Sequence, residues 1–193
     1  MDTTEQRTVF APFLVQGQCA VYERYRTTVE TADGTILEEL KNPRESFKSM
    51  AAGTPWTATQ LAYFAGYAMW MYLTVPFSLL TDGIACEEAE PWDEEGETWR
   101  ALRVNFPNSY ITHSSEQTLY FDASGLVRRQ DYAPEVSGDV KVAHFLHDHR
   151  TFDGIVFPTR RRVYLRGAGR QPQNEPVIIS ADLSDFKLSR AAG

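Results

Sequence analysis

Residues 56–80 read WTATQLAYFAGYAMWMYLTVPFSLL, and the rest of the chain is organised around them. No charged side chain falls between Lys48 and Asp82, whereas elsewhere charges recur every few residues. Thr57 and Gln60 form a T-x-x-Q capping box, in which each side chain satisfies an orphan N–H of the first helical turn. Trp56, just before the cap, is placed to pack on Leu61 as a hydrophobic staple. Pro76 ends the regular helix, because it has no N–H to donate and its ring collides with the preceding turn. The stretch therefore predicts one helix over residues 58–74.

The helix has no polar side. Leu61, Phe64, Ala65, Ala68 and Tyr72 form one stripe, and Tyr63, Tyr67, Trp70 and Thr74 form a second, aromatic one. Ala58, Ala62 and Gly66 make a ridge of small residues, where another backbone can approach closely. A helix that is apolar all round is buried or lies in a membrane. A span needs roughly 20 mainly apolar residues, and this stretch reaches that length only by including Thr74, Pro76 and Ser78. Its tyrosines also sit mid-helix, away from the interfacial belt that tyrosine prefers. The expectation is a buried helix with no membrane span.

The 193 residues are enough for one domain with a sizeable core, so a single domain over 1–193 is expected, with 1–7 and 188–193 frayed. A net charge of −7 disfavours nucleic acid as a partner. The charge is segregated: residues 82–97 hold eight acidic side chains, and residues 126–170 hold nine Lys/Arg against five Asp/Glu. Two cysteines, Cys19 and Cys86, make no disulfide framework, and Cys86 is expected as a small core residue. The N-terminus, MDTTEQRTVFAPFLV, has no apolar signal region, which gives a cytoplasmic location as the expectation.

The remaining segments alternate between β-rich runs and turns. Thr8–Val15, broken by Pro12, suits an edge strand or an arm. RTTVETADGTILEEL carries Asp33-Gly34, a tight-turn pair, between two β-rich runs. Residues 44–55 read as a linker. Strands are then expected at 84–90, 98–106, 117–121, 126–132, 140–150, 156–165 and 177–183. The first six pair as hairpins with no helical period between them, which excludes parallel βαβ packing. The fold class is α+β, mainly β. The expected form is a curved antiparallel meander of about nine strands, a half-barrel wrapped around one central apolar helix.

That arrangement resembles the LolA/LolB-like fold of lipoprotein carriers, an incomplete antiparallel barrel around a helix. LAYFAGYAMWMYLTVPF, EPWDEEGETWRALRVNFP, YFDASGLVRRQDY and FDGIVFPTRRRVY also resemble a group of bacterial proteins with no assigned activity, over residues 30–186. The resemblance implies a fold able to enclose an apolar molecule. The chain shows neither a signal sequence nor a lipid-anchoring cysteine near its start, so lipoprotein trafficking is not expected to carry over.

Chemistry-bearing residues are few. No G-x-S-x-G, P-loop or G-x-G-x-x-G is present, and no cofactor is expected. In VAHFLHDHR, His147 and His149 share one strand face and His144 takes the other. Two ligands fall short of a zinc site, so no metal is expected. His144, beside Val142 and Leu146, is the acid/base candidate if the protein is an enzyme. Arg160 and the remaining histidine, His113, are candidates for a ligand's polar group. Tyr63, Tyr67 and Trp70, with Thr74 and Phe77, are the expected wall of an apolar cavity, since their rings give contact area and their polar tips orient a guest. The favoured reading is a binding protein for a hydrophobic, aromatic small molecule held between helix and sheet. The alternatives are a cofactor-free cyclase, isomerase or hydrolase using the same cavity, and a structural protein whose aromatic surface joins a homodimer.

Overall fold

The computed structural model describes residues 1–51, 53–94 and 96–189. It is mainly β, its ladders are antiparallel, and it holds one substantial helix. Its contacts gather into two compact units.

The first unit comprises Met1–Thr81, Pro107–His113 and Glu135–Asp139. Its strands β1 (Thr8–Phe10), β2 (Gln18–Glu23), β3 (Arg26–Thr31) and β4 (Ile36–Lys41) pair in that order. Gly34 turns the chain between β3 and β4 with a φ of +87°, a conformation that glycine adopts at no steric cost. The expected 44–55 linker begins with a short 3₁₀ turn, Pro43–Phe47. The helix α1 spans Ala58–Thr74, as its capping box predicts. Gln60 N donates to Thr57 Oγ1 (3.2 Å) and Thr57 N donates to Gln60 Oε1 (3.0 Å). The expected staple forms differently. The Trp56 ring lies 5.2 Å from Phe64 and 5.2 Å from Phe47, while Leu61 packs with Phe13, Ala20 and Val29. The wide indole reaches past Leu61 to Phe64, which it meets at a tilt, and finds its edge-to-face partner in Phe47.

The ridge of small residues sets the contact between α1 and the four-stranded sheet. A Cβ on Gly66 would sit 2.3 Å from the Cβ of Tyr22, so only glycine lets the helix lie this close to β2. Thr8 Oγ1 donates to the Gly66 carbonyl across the same contact (3.1 Å). The stripe that begins at Leu61 is therefore not the most covered one. Leu61, Phe64 and Ala65 are half-buried, while Ala62, Tyr63, Gly66, Tyr67 and Trp70 are buried. Bulky side chains hold a backbone off, and small ones admit it. The N-terminal residues, expected to fray, are tied down: Asp2 and Arg7 form a β-bridge and the buried Gln6 donates to the Ile111 carbonyl (3.0 Å). At the other end, residues 190–193 of the expected frayed tail lie outside the described residues.

The second unit comprises Asp82–Phe106, Ser114–Pro134 and Val140–Gly193. It is a seven-stranded meander of β5 (Ala85–Glu94), β6 (Glu97–Asn105), β7 (Glu116–Phe121), β8 (Val127–Tyr132), β9 (Val142–Phe152), β10 (Ile155–Arg166) and β11 (Pro172–Asp182), each strand paired with the next. The described strands thus number eleven, in sheets of four and seven, because β2 adds to the expected series and the short β1 forms within the expected 8–15 segment. Cys86, expected in the core, is exposed on the edge strand β5. Most of β5 is exposed in this way, and only Ala89, Trp92 and Glu94 of the strand are half-buried.

Candidate functional site

Within the first unit, one face of α1 builds a dense aromatic cluster. Tyr63 and Tyr67, one turn apart, meet at 5.2 Å between ring centroids. Tyr22 reaches in from β2, with its ring 5.8 Å from that of Tyr63. His113 closes the other end, 5.0 Å from Tyr67 and 5.7 Å from Phe64. Ala68, Tyr72, Ile111 and Val136 complete the buried cluster. The rings meet edge-on or tilted, the geometry that ring quadrupoles favour.

One cation enters this apolar setting. Arg44, on the Pro43–Phe47 turn, donates through Nε to the Tyr63 hydroxyl (3.1 Å) and through Nη2 to the Thr112 carbonyl, and pairs through Nη1 with Glu135 (2.6 Å). Its guanidinium carbon lies 5.8 Å from the centre of the Tyr67 ring. Burial works against the Arg44 charge, but Tyr63 and Glu135 outweigh it and hold its pKa above the ordinary value.

The hydroxyls of the cluster differ in their partners. That of Tyr63 accepts from Arg44. Those of Tyr22 and Tyr67 have no hydrogen-bond partner among the described residues, although both side chains are fully buried. Burial raises the pKa of both tyrosines, so both hydroxyls keep their protons. Burial pushes the His113 pKa down to about 3, with the Arg44 charge adding to the effect. His113 is thus a neutral imidazole at ordinary pH.

The other expected wall residues are placed less simply. Trp70 is buried, with its indole N–H donating to the Asp2 carbonyl (2.8 Å) and its ring 5.7 Å from Tyr110. Thr74 Oγ1 donates to the Trp70 carbonyl (2.9 Å), one turn back on its own helix. Phe77 stands 56% exposed on a 3₁₀ turn, Phe77–Leu80, in which Leu80 is 90% exposed. Tyr63, Tyr67 and His113 are thus brought together, while Trp70, Thr74 and Phe77 follow along the helix and beyond its end.

Arg160 and His144 belong to the second unit. Arg160 is exposed on β10 and pairs with Asp148 (3.2 Å). Its neighbour Arg161 is the buried one, 1% exposed. Strand alternation puts Arg161 on the face of Val163, so this parity was available in the sequence. His144 is fully buried on β9, directly across from Gln130 and Val163. Gln130 Nε2 donates in turn to Gln117 Oε1. His147 stacks parallel to Phe145 at 6.1 Å, and His149 reaches the Val127 carbonyl (3.1 Å). Among the described residues, no three His, Cys, Asp or Glu side chains gather as a metal-binding group.

Tyr22 and Arg44 were not singled out in the sequence. Tyr22 left an indirect trace. Gly66 announces that something must lie against the helix there, and the run Ala20-Val21-Tyr22 offers a strand with a large ring to do it. Arg44 left none, because its partners Glu135 and Thr112 are 91 and 68 residues away.

No protein-family model matches the sequence, and neither does any curated protein. In structure the chain is similar to a DUF1329 family protein from Desulfovibrio piger, with a TM-score of 0.47 and 15% identity over 80% of this chain and 60% of that one. It is also similar to a LolA superfamily protein from Nitrosomonas europaea, with a TM-score of 0.48 and 9% identity over 85% of this chain and 66% of that one. The chain therefore spans less than two thirds of the length of either structure. No helix among the described residues is long and apolar enough to cross a membrane.

Proposed function

We propose that the protein binds a small hydrophobic molecule, aromatic or with an apolar body, against the tyrosine-rich face of α1. One observation carries this reading. Two phenol hydroxyls, of Tyr22 and Tyr67, are buried in an apolar cluster with no hydrogen-bond partner among the described residues. The large majority of buried polar side-chain atoms in folded proteins have partners. A hydroxyl left without one costs roughly 1–3 kcal/mol, a cost that a bound molecule with a polar atom removes. The rings supply the contact area and the hydroxyls the orientation, which is the usual division of labour in a small-molecule site.

In this reading Tyr63, Tyr67 and His113 contact the guest, Tyr22 lies across from them, and Trp70 reports on it from the next turn. Phe77 and Leu80 give an exposed apolar surface next to the C-terminal end of α1, suited to capturing a guest of low solubility. Native mass spectrometry of the purified protein tests the reading, the expected result being a complex heavier than the chain by one small molecule. Titration of stripped protein with an uncharged naphthalene fluorophore should then quench tryptophan emission saturably. Bare protein in the mass spectrum, together with linear, non-saturating quenching, would refute binding.

A further inference from the structure

The second unit holds a groove of about 420 Å³ between the β9–β10 hairpin and residues 183–187. The hairpin supplies one wall. Arg150 on β9 stands directly across from Phe157 on β10. Side chains alternate along a strand, so Phe152 shares the face of Arg150, and Thr159 shares that of Phe157. The chain leaves β11 at Asp182 and returns over this face. The Leu183 N–H donates to the Thr159 carbonyl (2.8 Å) and fixes the start of the returning segment. Phe186 then lies nearly parallel to both hairpin rings, 4.5 Å from Phe152 and 4.8 Å from Phe157, with the planes 25° and 22° apart.

The lining is of two kinds. Phe152, Leu183 and Phe186, each half-buried, give it apolar surface. Arg150 and Lys187 give it two exposed cations, and neither has a carboxylate partner among the described residues. Arg160 and Arg162, on the same hairpin, are paired with Asp148 (3.2 Å) and Asp182 (2.8 Å). Asp185 is the carboxylate of the lining, and it accepts the Ser184 hydroxyl (3.0 Å). The groove therefore presents two cations against one acid, in a chain whose net charge is −7.

These features select among ligand classes. A cationic guest would face both Arg150 and Lys187. An uncharged guest would use the rings and leave the two cations without a counter-charge. A carboxylate gives the planar Arg150 fork a bidentate partner and Lys187 a second point of attraction. The near-parallel phenyl rings favour a flat body, which can add to the stack as a further offset layer. The volume falls within the range of about 300–1,000 Å³ found for small-molecule sites.

We propose that this groove binds an aromatic carboxylate, with its ring against Phe152 and Phe186 and its carboxylate on Arg150 and Lys187. The site lies within the second unit and does not rest on the binding proposed at α1, so either can fail alone.

Two probes that share one ring system provide the test: 2-naphthoate and the uncharged 2-naphthylmethanol, each titrated into the protein while its assigned backbone amide resonances are followed by NMR. Naphthoate should shift the amides of Phe152, Leu183 and Phe186 saturably, and should bind there about tenfold more tightly than the alcohol, the ratio expected from one charge-assisted hydrogen bond. Raising the salt concentration should reduce that advantage, since the cations are exposed. Arg150→Gln should remove most of it and leave binding of the alcohol unchanged, with thermal unfolding like that of the wild type. Phe186→Leu keeps an apolar side chain on the returning segment but no ring, and should weaken both compounds. Naphthoate shifts that do not saturate, that are absent from these three amides or that appear only at α1 would overturn the proposal. So would equal affinity for the acid and the alcohol, or an advantage of the acid unmoved in Arg150→Gln.

Discussion

Two aromatic clusters in this protein are each built around one arginine, and they differ in how completely their polar atoms are matched. In the second unit, Arg129 is fully buried, with the rings of Trp92, Tyr120 and Phe145 at 5.0, 5.1 and 5.3 Å. Asp131 receives Arg129 at both oxygens (2.7 and 3.1 Å), and also Arg166 (2.6 Å) and the Tyr120 hydroxyl (2.9 Å). Glu94 receives Arg129 (3.0 Å) and the Trp92 indole N–H (2.7 Å). In the first unit, Arg44 has its partners, but the Tyr22 and Tyr67 hydroxyls around it have none among the described residues. Aromatic rings around a guanidinium therefore do not by themselves mark a binding site. The matched cluster holds β5, β8 and β10 together, and the incompletely matched one, with two unpaired hydroxyls among the described residues, is where we propose capacity for a guest.

The largest expected effect tests that contrast through the carboxylates. Asp131→Asn leaves the buried Arg129 and Arg166 short of their shared counter-charge, and should cost about 3–5 kcal/mol in urea unfolding. Glu135→Gln removes the counter-charge of Arg44, but Glu135 is 44% exposed and water replaces much of what is lost. That change should cost at most about 1 kcal/mol. Similar losses in the two variants would mean that the clusters are equally closed and that the contrast is wrong.

The next effect belongs to the first cluster alone. His113 titrates near 6.5 when unfolded and at about 3 when folded. Between those values the unfolded chain binds a proton that the folded chain does not, so stability falls as pH drops below 6.5 and the loss ends near 3. The slope is about 1.4 kcal/mol per pH unit, or about 2 kcal/mol by pH 5. Urea melts at pH 7 and pH 5 should show this for the wild type, and His113→Phe should flatten it. An unchanged slope in that variant would assign the acid sensitivity to other groups.

What the sequence disclosed follows from the range of each signal. The helix ends were legible because the Thr57–Gln60 box and Pro76 act within one turn. The hairpins were legible because Gly34, Gly125 and Gly154 punctuate alternating runs at short range. The side of α1 that meets a sheet was not legible from periodicity, since every face is apolar and the hydrophobic pattern has no preferred direction. Gly66 resolved it, but only once Tyr22 was seen against it. The burial of Arg161 and the exposure of Arg160 follow strand alternation, since Arg161 shares a face with Val163. The Arg44 and Arg129 networks stayed hidden for a different reason: their partners converge from distant segments, and a single sequence carries no record of that pairing.

The smallest effect tests the contrast most directly, because it applies one chemical change to both clusters. Tyr120→Phe and Tyr67→Phe each delete a single buried hydroxyl oxygen and keep the ring. Tyr120 donates to Asp131, and burial with that carboxylate beside it pushes its pKa up to about 12. Removing the hydroxyl also takes a donor from a buried carboxylate, and should cost about 1–2 kcal/mol. Tyr67 has no partner among the described residues, so deletion removes an unmet desolvation cost and no bond. Tyr67→Phe should therefore be neutral, or stabilise the ligand-free protein by up to about 1 kcal/mol. Thermal melts of stripped protein read both differences on the same scale. If Tyr67→Phe loses as much as Tyr120→Phe, its hydroxyl is already satisfied in the ligand-free protein, and the capacity assigned to the α1 cluster is not there.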